Sequence, residues 1–467
     1  MIFISWTHEG TRLLGKKGLF GLAALAVLVV AAAVVFAGSS DDAPPSDASS
    51  VEWASPVEVA TGAARIGPWR MNESDWDYLD DPTLALTDDG TAGIAWVDQG
   101  AQEVFFQSID ADGNEQLETP TPVSQETDTF SWLPRMIIPA DNPDTIYLLW
   151  QEIIFSGGSH GGDILFARST DGGASFSDPI NLSASTAGAG KGRLNAQRWD
   201  NGSLDLAYDA DGTLYAAWTE FEGRLWVRRS TDGGASFDDP VHVAGDDETP
   251  ARGPALAVDD AGTVHLAWTV GDDRFADIYH TTSDDRGASF HAPQTAAASD
   301  AHADAPTLTA DSSGAVHLAF AEQTAPDEAR YRIRHTRYSS GDGFDDPQTV
   351  ESLPTDDFES ASFPALHAGP GGSVYLQWVL YPNARDFRPM GLGLAVSHDN
   401  GASFSAPELV PGTADPELGQ SGSRQGMLMD RLATNAAGDV ALVNSTFSEG
   451  TSSAIWLHRS RQPAGGE

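Results

Sequence analysis

Apolar and polar positions in this chain alternate over short stretches, and from about residue 80 onward one unit recurs. It is an apolar run, a turn containing Gly, and a second apolar run that ends on an aromatic residue. The unit reads PTLALTDDGTAGIAW to Trp96, MIIPADNPDTIYLLW to Trp150 and LDLAYDADGTLYAAW to Trp218. It continues as PALAVDDAGTVHLAW to Trp268, PTLTADSSGAVHLAF to Phe320 and PALHAGPGGSVYLQW to Trp378, with a weaker copy, LATNAAGDVALVN, to Asn444. Runs this short, rich in β-branched and aromatic residues and bounded by Gly, Asp and Pro, read as strands. Their ends are spaced by 54, 68, 50, 52, 58 and 66 residues, a blade-sized period. An aromatic that recurs once per unit reads as core packing.

Most units continue with a third strand, a second turn and a short closing strand. Four strands per unit, repeated around a ring, predict an all-β fold: a β-propeller of four-stranded antiparallel blades. Seven copies predict seven blades. The seventh lacks a closing strand after TSSAIWLHRS, whereas Ser55-Pro56-Val57-Glu58-Val59-Ala60 resembles a closing strand without a blade. Pairing the two would close the ring and remove a sheet edge.

The second turn carries the pattern S-x-D-x-G-x-x-F. Good copies are Ser169, Asp171, Gly173, Phe176; Ser230, Asp232, Gly234, Phe237; Ser283, Asp285, Gly287, Phe290; and Ser397, Asp399, Gly401, Phe404, with a degenerate SSGDGF ending at Phe344. An Asp can accept bonds from the N–H groups of its own turn, and Gly supplies a backbone angle other residues resist. A feature repeated four times is architecture and not an active site. Asp110-Ala-Asp112-Gly113-Asn114 and Asp209-Ala-Asp211-Gly212 look like pieces of calcium loops, but neither has the downstream bidentate Glu, and they read as hairpin turns.

These turns resemble the Asp-boxes of the sialidase-like (BNR-repeat) propellers, a resemblance that covers nearly all of 51–467. It implies boxes between third and fourth strands, on the face away from the working face. Sialidases of this family have six blades, which makes six the alternative count. They use an arginine triad for the substrate carboxylate, a tyrosine–glutamate nucleophile and an aspartate acid/base. The matching positions are Arg135, which opens a first strand, and Glu152, which closes the following one. The family's acid/base position falls on His160, so Asp163 stands in as the candidate acid. A tyrosine in the family's C-terminal context is missing, and Tyr381 in LYPNARD reads as a loop residue.

The remaining candidates are arginines and aromatics in loops between blades, where rings stack on sugar faces and guanidinium groups bind acids. They are Arg65, Trp69, Arg70, Trp132, His160, Arg198, Trp199, Arg252 and Arg424, with Trp76, Arg193, Glu220, Glu222, Arg385 and Arg388 nearby. The alternative is that these arginines pair with the abundant aspartates and cover the channel.

Composition narrows the partners. There are 68 acidic and 26 basic side chains, a net charge of −42, and only three lysines, Lys16, Lys17 and Lys191. Such a field repels phosphate backbones, which argues against nucleic acid. It also suits high-salt surroundings. With no cysteine there is no disulfide, thiolate metal site, cysteine nucleophile or lipoprotein anchor. No cofactor is implied, and no HExxH or close histidine pair suggests zinc.

Near the N-terminus, Arg12, Lys16 and Lys17 precede an uncharged stretch, 19–37. As a helix it would span about 28 Å, one bilayer core. The expected layout is a cytoplasmic basic segment 1–18, a transmembrane signal-anchor or signal peptide 19–37, a flexible linker 38–50, the propeller 51–460 and a tail 461–467. The flanking charge predicts export of everything after residue 37, with the protein membrane-anchored, or secreted if the signal is cleaved. Three functions are then open: a propeller binding a glycan, an acidic ligand or a partner protein; an exo-glycosidase of sialidase type; or an assembly module of a membrane complex.

Overall fold

The computed structural model divides the chain into two units, Met1–Ala48 and Ser49–Glu467. It describes residues 51–461 except 69, 71–73, 125–129, 141, 157–158, 184–203, 221–222, 247, 271–274, 327, 342, 387 and 423–429, and the side chains of 153–162. The segments 1–18, 19–37 and 38–50, and residues 462–467, lie outside this description. Among the described residues no helix is long and apolar enough to cross a membrane.

Seven antiparallel sheets follow one another along the chain. Their innermost strands are Leu79–Leu86, Phe130–Ile137, Leu204–Tyr208, Ala251–Val258, Ala303–Ala310, Ser360–Ala368 and Leu432–Thr434. Each contacts the next, and the seventh contacts the first, so the sheets form a ring around a central channel. The seven-bladed count is therefore the one the chain adopts. Closure is as the repeat predicts: Val57–Gly62 pairs antiparallel with Ser452–Arg459, with Val57 opposite Leu457 and Gly62 opposite Ser453. The last blade is completed by the first strand of the ring.

The second strand of each blade is sandwiched between neighbouring blades on both faces, which explains why these strands read as apolar runs without clean alternation. Val374–Tyr381 is buried at every position. The strand-end aromatics Trp150, Trp218, Trp268, Phe320 and Trp378 are fully buried, as their periodicity implies.

The S-x-D-x-G-x-x-F turns lie between third and fourth strands, at the end of the ring opposite to where the innermost strands begin. In the first, Ser169 Oγ donates to Asp171 Oδ1 (2.8 Å) and accepts from the Gly173 N–H (2.9 Å). The Asp171 carboxylate also accepts from the Ser175 N–H (2.9 Å) and hydroxyl (2.6 Å). Asp232, Asp285 and Asp399 repeat this with Ser236, Ser289 and Ser403. The second serine is thus part of the device, legible as the recurrent ASF. The serine hydroxyls and amides hold these carboxyls below the usual range, Asp232 and Asp285 at about 2.

Each turn docks on the preceding blade. Phe176 meets Phe106 edge-on at 5.7 Å, and Phe237 meets Phe166 at 4.9 Å. Arginines on the third strands reach across to the same turns: Arg168 donates to the Gly233 carbonyl (2.6 Å), Arg229 to the Arg286 carbonyl (2.9 Å) and Arg337 to the Asn400 carbonyl (3.1 Å). Arg459 does the same across the closure, donating to the Ile109 carbonyl at 2.8 Å. The box glycines sit in the left-handed region and against those aromatics. A Cβ at Gly234 (φ +76°) would lie 2.6 Å from Phe166, whereas one at Gly262 (φ +81°), on a hairpin turn, would meet nothing within 4 Å. Gly234→Ala should therefore destabilise by about 2–4 kcal/mol, from backbone strain plus overpacking, and Gly262→Ala by only about 1 kcal/mol. Urea unfolding of the two variants beside the parent reads the difference.

Candidate functional site

The start of five of the seven innermost strands is set by one local device. In five blades the ladder slips at Asp80–Thr83, Trp132–Arg135, Arg252–Ala255, Asp304–Thr307 and Ser362–Ala365. At each slip the residue before a proline has positive φ: Asp81, Leu133, Gly253, Ala305 and Phe363, at 52–58°. Proline has no N–H to lose from a ladder, so a bulge is where a strand can hold it. Bulges also re-aim the flanking side chains, and here they do so at the same depth in every one of these blades.

Below the bulges lies a cavity of about 400 Å³ bounded by all seven innermost strands. Each of those strands is last in its sheet, so one backbone edge faces the channel. The polar side chains lining the cavity are Asp205, Tyr208, Thr307, Thr309, His367, Asp430 and Thr434. At its upper end the buried Arg135 guanidinium sits between two carboxylates, its Nε 3.7 Å from Asp205 Oδ1 and 3.9 Å from Asp430 Oδ2. Asp205 also accepts the Leu256 N–H at 2.6 Å, tying blade 3 to blade 4. Burial and the facing Asp430 push the Asp205 carboxyl up to about 7, against the pull of Arg135. At the far end, Thr434 Oγ1 lies 2.9 Å from His367 Nδ1, and burial pulls that imidazole below its ordinary range.

Beside this centre the buried Arg431 guanidinium faces Asp80, Asp81 and Tyr381. Asp80 accepts from Ser445 Oγ at 2.7 Å. Tyr381 is not a loop residue: it ends the strand Val374–Tyr381 and is buried, which raises its phenol. A second ionic cluster joins blades 4 and 5. Asp304 accepts from Thr269 Oγ1 (2.9 Å) and lies 3.4 Å from Arg252 Nη1 and 3.3 Å from His302 Nε2. The Arg252 guanidinium, with help from His302, overcomes the burial of this carboxyl and holds it far below the usual range.

The residues singled out in the sequence fall into distinct places. Arg135 is at the upper end of the channel between Asp205 and Asp430, and Arg252 is in the second cluster. Glu152 lies one strand outward, where Ser131 Oγ and Trp150 Nε1 each donate to Oε2 at 2.9 Å, and it pairs in register with Asp163. Neither lines the cavity. Trp132 is buried in the core cluster of blades 2 and 3. Arg65 is on a two-stranded hairpin, paired with Asp75 (2.8 Å) and Asp77 (3.5 Å), beside a separate cleft of about 330 Å³ with Trp76 and Gln99. Arg70 is exposed, and its N–H donates to Ser74 Oγ (2.7 Å). Trp69, Arg198, Trp199, Arg424 and the side chain of His160 lie outside the described residues. Asp205, Asp430, Asp304 and Arg431 escaped the sequence reading, although the recurring proline just after the bulge marks where the mouth residues sit in most blades.

No family model matches the chain, and no curated protein sequence does. Many solved structures match in fold. An ulvan lyase, described as a new family of polysaccharide lyase, aligns with a TM-score of 0.53 at 12% identity, over 86% of this chain and 95% of that one. A second polysaccharide lyase, Uly1, gives 0.51 at 12% identity, over 88% and 100%. A Hadza microbial sialidase gives 0.45 at 12% identity, over 85% and 93%. The likeness is one of fold.

Because Asp205 is raised in the folded state, the fold favours its protonated form. The stability it confers is complete at low pH and declines as pH rises from about 4 to about 7. Asp205→Asn keeps an oxygen for the Leu256 N–H and carries no charge. Relative to the parent it should gain on the order of 2 kcal/mol at pH 8 over its value at pH 4, read by chemical denaturation at both pH values.

Proposed function

We propose that this chain is a carbohydrate-binding propeller that works outside the cytoplasm, held to the membrane through residues 19–37, and that its ligand is rich in hydroxyl groups. The observation that carries this reading is the position of Arg135 between Asp205 and Asp430. A ligand carboxylate arriving there would have to compete with two carboxylates already in place, in a protein of net charge −42. Sugar hydroxyls donate and accept at once, and they fit between an arginine and its aspartates without displacing either. The threonines and the exposed strand edges of the channel add more donors and acceptors of the same kind. One solved neighbour in fold, an ulvan lyase, was determined bound to -[GlcA(1-4)Rha3S]-, an acidic saccharide, so the likeness supports a carbohydrate ligand without supporting its neutrality. The arginine–aspartate pairing favours neutral sugar faces as the ligand.

A second reading, an exo-glycosidase, is favoured by one feature. Asp205 is held protonatable near neutrality beside Asp430, and hydrolysis of a glycosidic bond needs an acid and a second carboxylate.

One experiment separates the two. The full chain in detergent is titrated with neutral arabino-oligosaccharides, with uronate oligosaccharides and with a fluorogenic sialoside, beside Asp430→Asn and Asp205→Asn. Micromolar to millimolar binding of the neutral set, weakened at least tenfold in Asp430→Asn and without turnover, is the expected result. Binding of the uronates alone, or binding indifferent to Asp430→Asn, would sink the proposal. Turnover abolished by Asp205→Asn would replace it with the glycosidase.

A further inference from the structure

We propose that the joints between blades 4 and 5 and between blades 5 and 6 are acid-releasable catches, each built on a buried histidine pair. In blade 5, His317 and His335 are fully buried and stacked, ring centroids 5.3 Å apart. His317 Nδ1 lies 3.1 Å from His335 Nε2. The outer nitrogens are also occupied: Asp311 Oδ2 is 3.0 Å from His317 Nε2, and Gln348 Nε2 is 3.3 Å from His335 Nδ1.

The end groups fix the direction of this chain. A carboxylate only accepts and an amide nitrogen only donates. Gln348 therefore donates to His335 Nδ1, His335 Nε2–H donates to His317 Nδ1, and His317 Nε2–H donates to Asp311. Each neutral imidazole supplies one donor and one acceptor, and all are used. A further proton on either ring would set two N–H groups against each other at 3.1 Å, or strip Gln348 of its acceptor.

Blade 4 repeats the pair. His265 Nδ1 is 3.1 Å from His280 Nε2, and Asp259 Oδ2 is 3.5 Å from His265 Nε2. The charged neighbours are few: Asp311 and Arg337 about the first pair, Asp259 and Asp284 about His265, with Tyr338 packed on both His265 and His280. Burial lowers all four imidazoles, His280 and His335 to about 3, and Arg337 adds to the effect in blade 5.

What makes these pairs catches is what rests on them. A Cβ at Gly401, in the box of blade 6, would come within 2.8 Å of His317 and 2.9 Å of His335. Phe404 packs edge-on to His335 at 4.9 Å, and Gln348 Nε2 also donates to the Gly401 carbonyl at 2.9 Å. Phe344 of blade 5 sits likewise on His280, at 5.0 Å. At the joint of blades 2 and 3 the same seat is Tyr147 on Phe166, stacked at 6.1 Å under Gly234 and Phe237. The seat is thus inert to pH at that joint and titratable at the other two.

The imidazoles lie below their ordinary value of about 6.5 in the fold, so their contribution is complete above that pH and is lost as pH falls beneath it. Each histidine that stays neutral in the fold multiplies the unfolding equilibrium constant by about 30 between pH 8 and pH 5. The test is denaturant unfolding of the full chain at the two pH values, beside a double variant, His317→Tyr with His335→Phe, that copies the blade 2 seat. Asp311 can hold the new phenol as Asp209 holds Tyr215 Oη, at 2.8 Å. The parent's constant should rise on acidification at least tenfold more than the variant's. An equal response would overturn the proposal. Should the variant not fold, hydrogen exchange of the parent decides. Loss of protection at pH 5 at Gly401–Phe404 and at the turn ending in Phe344, with Gly234–Phe237 unchanged, is expected; equal loss at all three turns would refute it.

Discussion

The pairing of Val57–Gly62 with Ser452–Arg459 is the contact on which the ring depends. Among the described residues, neighbouring blades share only isolated backbone bridges, such as Ala276 with His302 and Met390 with Ser421. Side-chain packing between faces therefore carries most of the ring, and an open ring would leave the first and last blades each with a bare apolar face. Completing the last sheet with the first strand turns seven face-to-face contacts into a closed set. Arg459, on that last sheet, adds its bonds to the carbonyls of blade 1 across the same seam.

Between blades 1 and 2, 2 and 3, 3 and 4, and 5 and 6, the box turns do the corresponding work. They have the form of a binding motif, a carboxylate ringed by hydroxyls and amides, yet each is spent on its own turn and on the blade before it. That division explains the two ends of the molecule. One end carries the turns that bind blade to blade; at the other Arg135 lies between Asp205 and Asp430, and Arg252 meets Asp304 in a second cluster. The arginines divide the same way: Arg168, Arg229 and Arg337 grip turns, while Arg135, Arg252 and Arg431 face the mouth.

The architecture was legible because it repeats. The repeated strand pair and the stray closing strand pointed to seven blades, while the box pattern alone pointed to a propeller without fixing the count. The candidate site was legible only in part, for a physical reason. Arg135 and Arg252 stand out in an acidic chain, but their partners are ordinary aspartates from other blades, and no spacing along the chain announces that Asp205 and Asp430 will flank one guanidinium. Glu152 fitted a family position yet ends inside its blade, bonded to Trp150 and Ser131. Tyr381 looked like a loop residue because LYPNARD is polar after it, whereas the strand runs through to the tyrosine itself.

The bulge before each proline has a consequence for how such a molecule can change. The position ahead of it holds Asp80 in one blade, then Trp132, Arg252, Asp304 and Ser362 in others, while the backbone beneath keeps one shape. The frame is indifferent to its cargo. Outside the blade where this position holds the buried Trp132, a single codon change could swap an acid, a base or a hydroxyl there with no demand for a new fold, so descendants of one ring could diverge in what they recognise far faster than in what they are.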